Sequence, residues 1–113
     1  MKRQAPQPGL LGSLEEQVML AVLRTGPEAY GMNVRRELEA VTGRDITIGS
    51  VYATLDRLEA KALVTSARTA GADGVSRRVF MVTPAGLRAL GHTRDVRDRL
   101  WKGVRFDARR SEA

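Results

Sequence analysis

The residues whose types and spacing could act on another molecule are Thr47, Gly49, Ser50, Ala53, Arg57 and Lys61. Wound at about one hundred degrees per residue, Gly49, Ser50, Ala53, Arg57 and Lys61 share one helical side, opposite Ile48, Val51, Leu55 and Leu58. That side is small at its start and cationic at its end. A helix lying in a DNA major groove needs both properties: little bulk where its backbone approaches base edges, and donors for bases or phosphates. Ser50, Arg57 and Lys61 supply the donors. Tyr52 lies on the flank of the apolar stripe, where its hydroxyl would reach a phosphate oxygen while the ring packs inward. Its other reading is a half-buried core tyrosine.

A second group of cations follows. Arg68 stands before, and Arg77 and Arg78 after, a turn built from Gly71, Ala72, Asp73 and Gly74. Cations beside such a flexible tip suit contacts to the backbone or minor groove of a neighbouring stretch of duplex. They also suit an ordinary solvated surface hairpin.

Other chemistries find little support. The single histidine, His92, has no sequence neighbour that would make it part of a base and nucleophile pair. No phosphate-binding Gly-Lys-Ser loop, His-Glu metal signature or dinucleotide glycine pattern occurs. With no cysteine, neither disulfides nor a cysteine zinc site can hold the fold. No catalytic residue, metal or cofactor is therefore expected. Nineteen Lys and Arg against thirteen Asp and Glu give a formal charge of +6, which suits a polyanionic partner. Neither an apolar leader nor a run of about eighteen apolar residues is present, so a cytoplasmic protein with no membrane partner is expected.

The elements that must position these groups can be read along the chain. Ser13 and Glu16 have capping-box spacing ahead of Leu14, Val18, Ala21 and Val22, predicting a helix from Leu14 to Leu23. Thr25, Gly26 and Pro27 break it. A second helix starts near Tyr30, carries Val34, Leu38 and Val41, and ends at Gly43. Thr47 caps the third. Leu63 to Thr69 and Ser76 to Val82 then read as the two strands of a hairpin. Thr83 and Pro84 open a last helix, carrying Leu87 and Leu90 and running past Gly91, a candidate kink, toward Val104. Three helices, a hairpin and a helix make a mainly α fold with a small two-stranded antiparallel β-wing: a winged helix-turn-helix plus a C-terminal helix. The expected organisation is a flexible segment at 1–10, a winged domain at 11–90, a dimerisation helix at 91–106 and a basic tail at 107–113.

Four motifs carry a resemblance. Leu11-Gly12-Ser13-Leu14-Glu15, Ala29-Tyr30-Gly31, the run from Gly49 to Glu59, and Thr83-Pro84-Ala85-Gly86 are similar to the successive signatures of the PadR-like transcriptional regulators. The short C-terminal region resembles the smaller subgroup of that family. The resemblance implies transcriptional repression at double-stranded DNA, dimerisation through the last helix with help from the N-terminal one (Leu11, Leu14), and relief of repression by a small aromatic or drug-like effector. Two departures stand out. Ala62 replaces a usual glycine at a turn position where φ > 0 is often needed. Val79-Phe80 replaces a frequent tyrosine pair, so hydroxyl contacts made there by relatives do not carry over.

One reading helix and one wing touch too few base pairs to select a genomic site, whereas a two-fold dimer reads a palindromic operator whose half-sites lie about one helical turn apart. Val96, Leu100, Trp101 and Val104 form an apolar stripe that the other helices leave unclaimed, which suits a homodimer. Trp101 would also line a pocket between subunits for a flat effector, or serve as a plain packing anchor. The alternative to DNA binding is a winged-helix protein-interaction module.

Overall fold

The computed structural model describes residues 9–106, so most of the expected N-terminal segment and the whole expected tail at 107–113 lie outside the described residues. In chain order the elements are α1 (Ser13–Thr25), a 3₁₀ turn (Gly26–Glu28), α2 (Gly31–Thr42), α3 (Ile48–Ala60), β1 (Val64–Ala70), β2 (Ser76–Val82) and α4 (Pro84–Trp101). The two strands form one antiparallel sheet, giving the expected mainly α architecture with a β-wing.

Helix boundaries follow local chemistry. The N-cap of α1 is Gly12 rather than Ser13, and Glu15 reaches back to accept the Gly12 N–H at 3.0 Å. Glu16, the expected partner, is instead buried against Arg97. Gly26 takes φ 65° and Gly43 φ 69°, the left-handed region in which a side chain would be strained, and they end α1 and α2. Thr47 Oγ1 accepts the Ser50 N–H at 3.1 Å, and Thr83 Oγ1 accepts the Gly86 N–H at 3.0 Å with Pro84 in the first turn.

These caps set four elements around one core. Val18, Met19 and Val22 from α1 meet Val34 and Leu38 from α2, Val51, Leu55 and Leu58 from α3, and Val64 and Phe80 from the wing. The wing is thus rooted in the core rather than appended to it. Its register pairs Val64 with Val82 and Ala70 with Ser76. On the other edge of β2, Tyr30 bridges Val79 and the Phe80 N–H donates to the Ala29 carbonyl at 2.9 Å. The connection from α3 into β1 passes through Ala62 at φ 60°, the only non-glycine with positive φ among the described residues. That places alanine in the left-handed conformation that favours glycine, at a cost of about 1–2 kcal/mol.

Helix α4 joins the body mainly through the stretch from its first turn to Thr93. A Cβ on Gly86 would stand 2.1 Å from the Leu63 carbonyl oxygen, so glycine alone lets the first turn sit there. Ala89, Leu90 and Thr93 are buried, and Thr93 Oγ1 accepts the Leu11 N–H at 3.1 Å. Of the two leucines this stretch carries, Leu90 is buried and Leu87 points outward. Beyond Thr93, half-buried Val96 and the Arg97–Glu16 ion pair are the remaining ties, and the other positions to Trp101 are exposed. The helix runs unbroken through Gly91 and ends at Trp101, so Val104 lies past it, beyond a turn in which Gly103 has φ 79°. No helix among the described residues is long and apolar enough to cross a membrane.

Candidate nucleic-acid interface

The two sides of α3 are separated as the spacing predicts. Val51, Leu55 and Leu58 are fully buried, while Thr47, Gly49, Ser50, Ala53, Arg57 and Lys61 are all exposed. One buried position is polar: Thr54 Oγ1 donates to the Ser50 carbonyl at 2.8 Å and accepts from Arg57 Nη2 at 3.2 Å. The buried hydroxyl is therefore satisfied, and it holds the Arg57 guanidinium against the outer surface of the helix. At the leading end, the Thr47 hydroxyl donates to Ser50 Oγ at 2.8 Å. Ser50 keeps its own hydroxyl proton for an outside acceptor.

Tyr52 takes a position that joins both expectations. It is 37% exposed, and its ring crosses the start of α2 so closely that a Cβ on Gly31 would lie 2.4 Å from Cζ and 2.5 Å from the hydroxyl oxygen. The Ala29-Tyr30-Gly31 motif thus has a packing reason: Ala29 is buried, and Gly31 is the floor on which the tyrosine of α3 rests.

The wing cations are deployed unequally. Arg68 is exposed and makes no ion pair among the described residues. Arg77 forms a two-pronged bond to Asp73 on the tip, at 3.0 and 2.8 Å, and lies 4.9 Å from the Tyr30 ring centre. The Arg77 guanidinium holds the Asp73 carboxyl down to about 2. Arg78 turns back toward α3: it reaches Asp56 at 3.1 Å, Glu59, and Ser66 Oγ at 3.1 Å, and covers the Phe80 ring at 4.6 Å. Ser66 Oγ also donates to Glu59 at 2.7 Å, and this bond, with Arg78, holds the Glu59 carboxyl below the usual range. Burial works to lower the Arg78 value, yet its bonds to Glu59 and Asp56 raise it overall.

Lys61 is likewise held, at 2.8 Å from Glu15, whose carboxyl it lowers. Two features escaped the sequence reading. Arg44, in the turn between α2 and α3, is exposed near the leading end of α3. The acids Asp56 and Glu59 share the outer part of α3 with its cations. Position in a helix-turn-helix turn was the signal for the first; the second needed the fold, because only the hairpin brings Arg78 to them. Among the described residues no cluster of His, Cys, Asp or Glu could hold a metal ion.

This arrangement has known counterparts. The model of the transcriptional regulator PadR-like family matches residues 19–92, spanning α1 to α4. The chain belongs to the PadR-like family. It is also 38% identical over 77 residues to the transcriptional regulator Rv3488 of Mycobacterium tuberculosis, a match covering 68% of this chain and 70% of the relative. Among solved structures it is similar to a PadR family transcriptional regulator from Eggerthella lenta, with 28% identity, a TM-score of 0.62, and coverage of 80% and 82% of the two chains. A PadR-like transcriptional regulator from Bacillus cereus shares the fold at 21% identity, with a TM-score of 0.65 and coverage of 80% and 93%. The family is one of transcriptional regulators, not enzymes.

Proposed function

We propose that this PadR-like regulator is a homodimeric repressor that reads a palindromic operator in double-stranded DNA. The observation that supports this most is the outer face of α3, small at its start, cationic toward its end and left open by its own chain. Gly49 and Ala53 give clearance, Ser50 and Arg57 face bases or phosphates, and Thr47 fixes the leading turn. Tyr52 bounds the interface on the α2 side. Lys61, once released from Glu15, and Arg68 on the wing meet the flanking backbone, while Arg77 and Arg78 stay on their own carboxylates and shape the wing.

Dimerisation falls to the end of α4. Leu100 is 70% exposed and Trp101 62%, with Val104 and Phe106 continuing the apolar surface. Such a patch on a projecting helix favours a partner of the same kind. Leu11 and Leu14 pack in part on their own core, so they contribute an edge of that interface. A small aromatic or drug-like effector seated beside Trp101 would relieve repression only by preferring one spacing of the two α3 helices over another.

Selection from a random duplex pool by the full chain tests the proposal. The recovered fragments should carry an inverted repeat with half-sites about one helical turn apart. Failure to enrich any sequence contradicts sequence-specific reading and favours a protein-interaction role. Arg57→Ala, measured on recovered and random duplexes, separates the roles of that residue: equal loss marks a phosphate contact, selective loss a base contact. An effector that quenches Trp101 fluorescence without releasing DNA contradicts the switching mechanism.

A further inference from the structure

We infer that Arg78 is a positioning residue that locks the wing to α3, so that the two DNA-facing elements present themselves as one rigid unit. The inference rests on the reading of α3 and the wing as a DNA interface, and deepens it. Three elements converge on this one guanidinium. Asp56 at 3.1 Å and Glu59 come from α3, Ser66 Oγ at 3.1 Å comes from β1, and the ring of Phe80, 4.6 Å away, comes from β2 itself. All three guanidinium nitrogens are engaged, and Arg's planar fork suits such simultaneous bonds. A phosphate would have to displace two carboxylates to take this side chain.

The neighbours give the geometry its purpose. Arg68 lies directly opposite Arg78 in the strand register, a like-charge pairing that strands disfavour. Drawing Arg78 onto Asp56 and Glu59 removes that repulsion and leaves Arg68 as the open cation of the wing. It also neutralises carboxylates that would otherwise face an approaching phosphate backbone from α3 itself. Apart from this cluster, the upper wing from Thr65 to Arg77 is largely exposed, so Arg78 sets its angle against α3 where the buried root at Val64 and Phe80 does not reach.

Two variants test the inference on a duplex recovered by selection with the unsubstituted chain. Arg78→Met removes the charge while keeping length over Phe80. The double change Asp56→Asn with Glu59→Gln removes the anchors and leaves Arg78 in place. Partly exposed ion pairs carry little folding stability, so both variants stay folded. Both should lose hydroxyl-radical protection at the backbone flanking the α3 footprint, keep protection at its centre, and lower the slope of log affinity against log salt alike, by about 0.9, because the displaced wing takes the Arg68 phosphate contact with it. If Arg78→Met lowers that slope by about 0.9, one phosphate contact, while the double variant keeps the flanking protection, Arg78 touches DNA directly and the inference is overturned. Retention of the full footprint by both variants overturns it as well. Absence of any footprint with the unsubstituted chain is a different failure, which removes the DNA reading itself and the inference with it.

Discussion

The outer face of α3 and the β-wing carry similar charges and use them in opposite ways. On α3, Ser50 and Arg57 are braced by Thr47 and Thr54 yet remain turned outward. On the wing, two of three arginines are consumed by carboxylates of the same chain, Arg77 by Asp73 and Arg78 by Asp56 and Glu59, while Arg68 stays open. The difference teaches that a count of cations overstates a footprint. Some of the positive charge of this chain shapes the surface that the rest of it presents.

Substitutions can break or sharpen that contrast, beginning where the wing enters the core. Phe80 is fully buried, so Phe80→Ala should cost about 3–5 kcal/mol in chemical denaturation, as an interior aromatic does. A loss below about 1 kcal/mol would make the wing an appendage rather than a wall of the core. Next in size is the strained joint between the two regions. Ala62→Gly relieves a positive φ and should raise stability by about 1 kcal/mol, read as a higher unfolding midpoint; a fall would mean that the alanine conformation is not under strain.

Smaller effects distinguish open from committed cations. Arg68→Ala should lower the salt slope of DNA affinity by about 0.9, and Arg77→Ala by clearly less. Equal slopes would erase the distinction within the wing. The gentlest probe is pH. The Asp73 carboxyl lies at about 2, below its ordinary 3.8. A depressed carboxyl favours the folded contact above its unfolded value, and that contribution disappears as pH falls through the folded one. Wing-tip amide resonances should therefore titrate with a midpoint near 2, whereas a midpoint near 3.8 would show Arg77 to be unpaired.

Much of this was legible in the sequence because period and caps are local. The apolar stripe of α3, the Thr47 and Thr83 caps, the Gly43 stop and the hairpin strands all appear where spacing puts them. Failures occur where tertiary contacts choose between local options. Glu16 had capping spacing, but Arg97, far along the chain, claims it and Glu15 caps instead. Spacing did not rank Leu87 against Leu90; Gly86 and Ala89 bring α4 onto the body by a side that buries Leu90 and leaves Leu87 out. The commitment of Arg77, Arg78 and Lys61 was equally hidden, since their partners lie in the turn, in α3 and in α1.

If the small-residue face of α3 enters a duplex groove, a probe on that face is shielded by DNA. The chain has no cysteine, so Ala53→Cys places a unique thiol on that face. Its alkylation rate, followed with and without a saturating duplex recovered by selection, tests this directly. Bound duplex should sharply slow alkylation there while leaving the thiol of Leu87→Cys, on the outer side of α4, as reactive as before. Equal alkylation at the α3 position in the free and bound states would contradict entry into the groove.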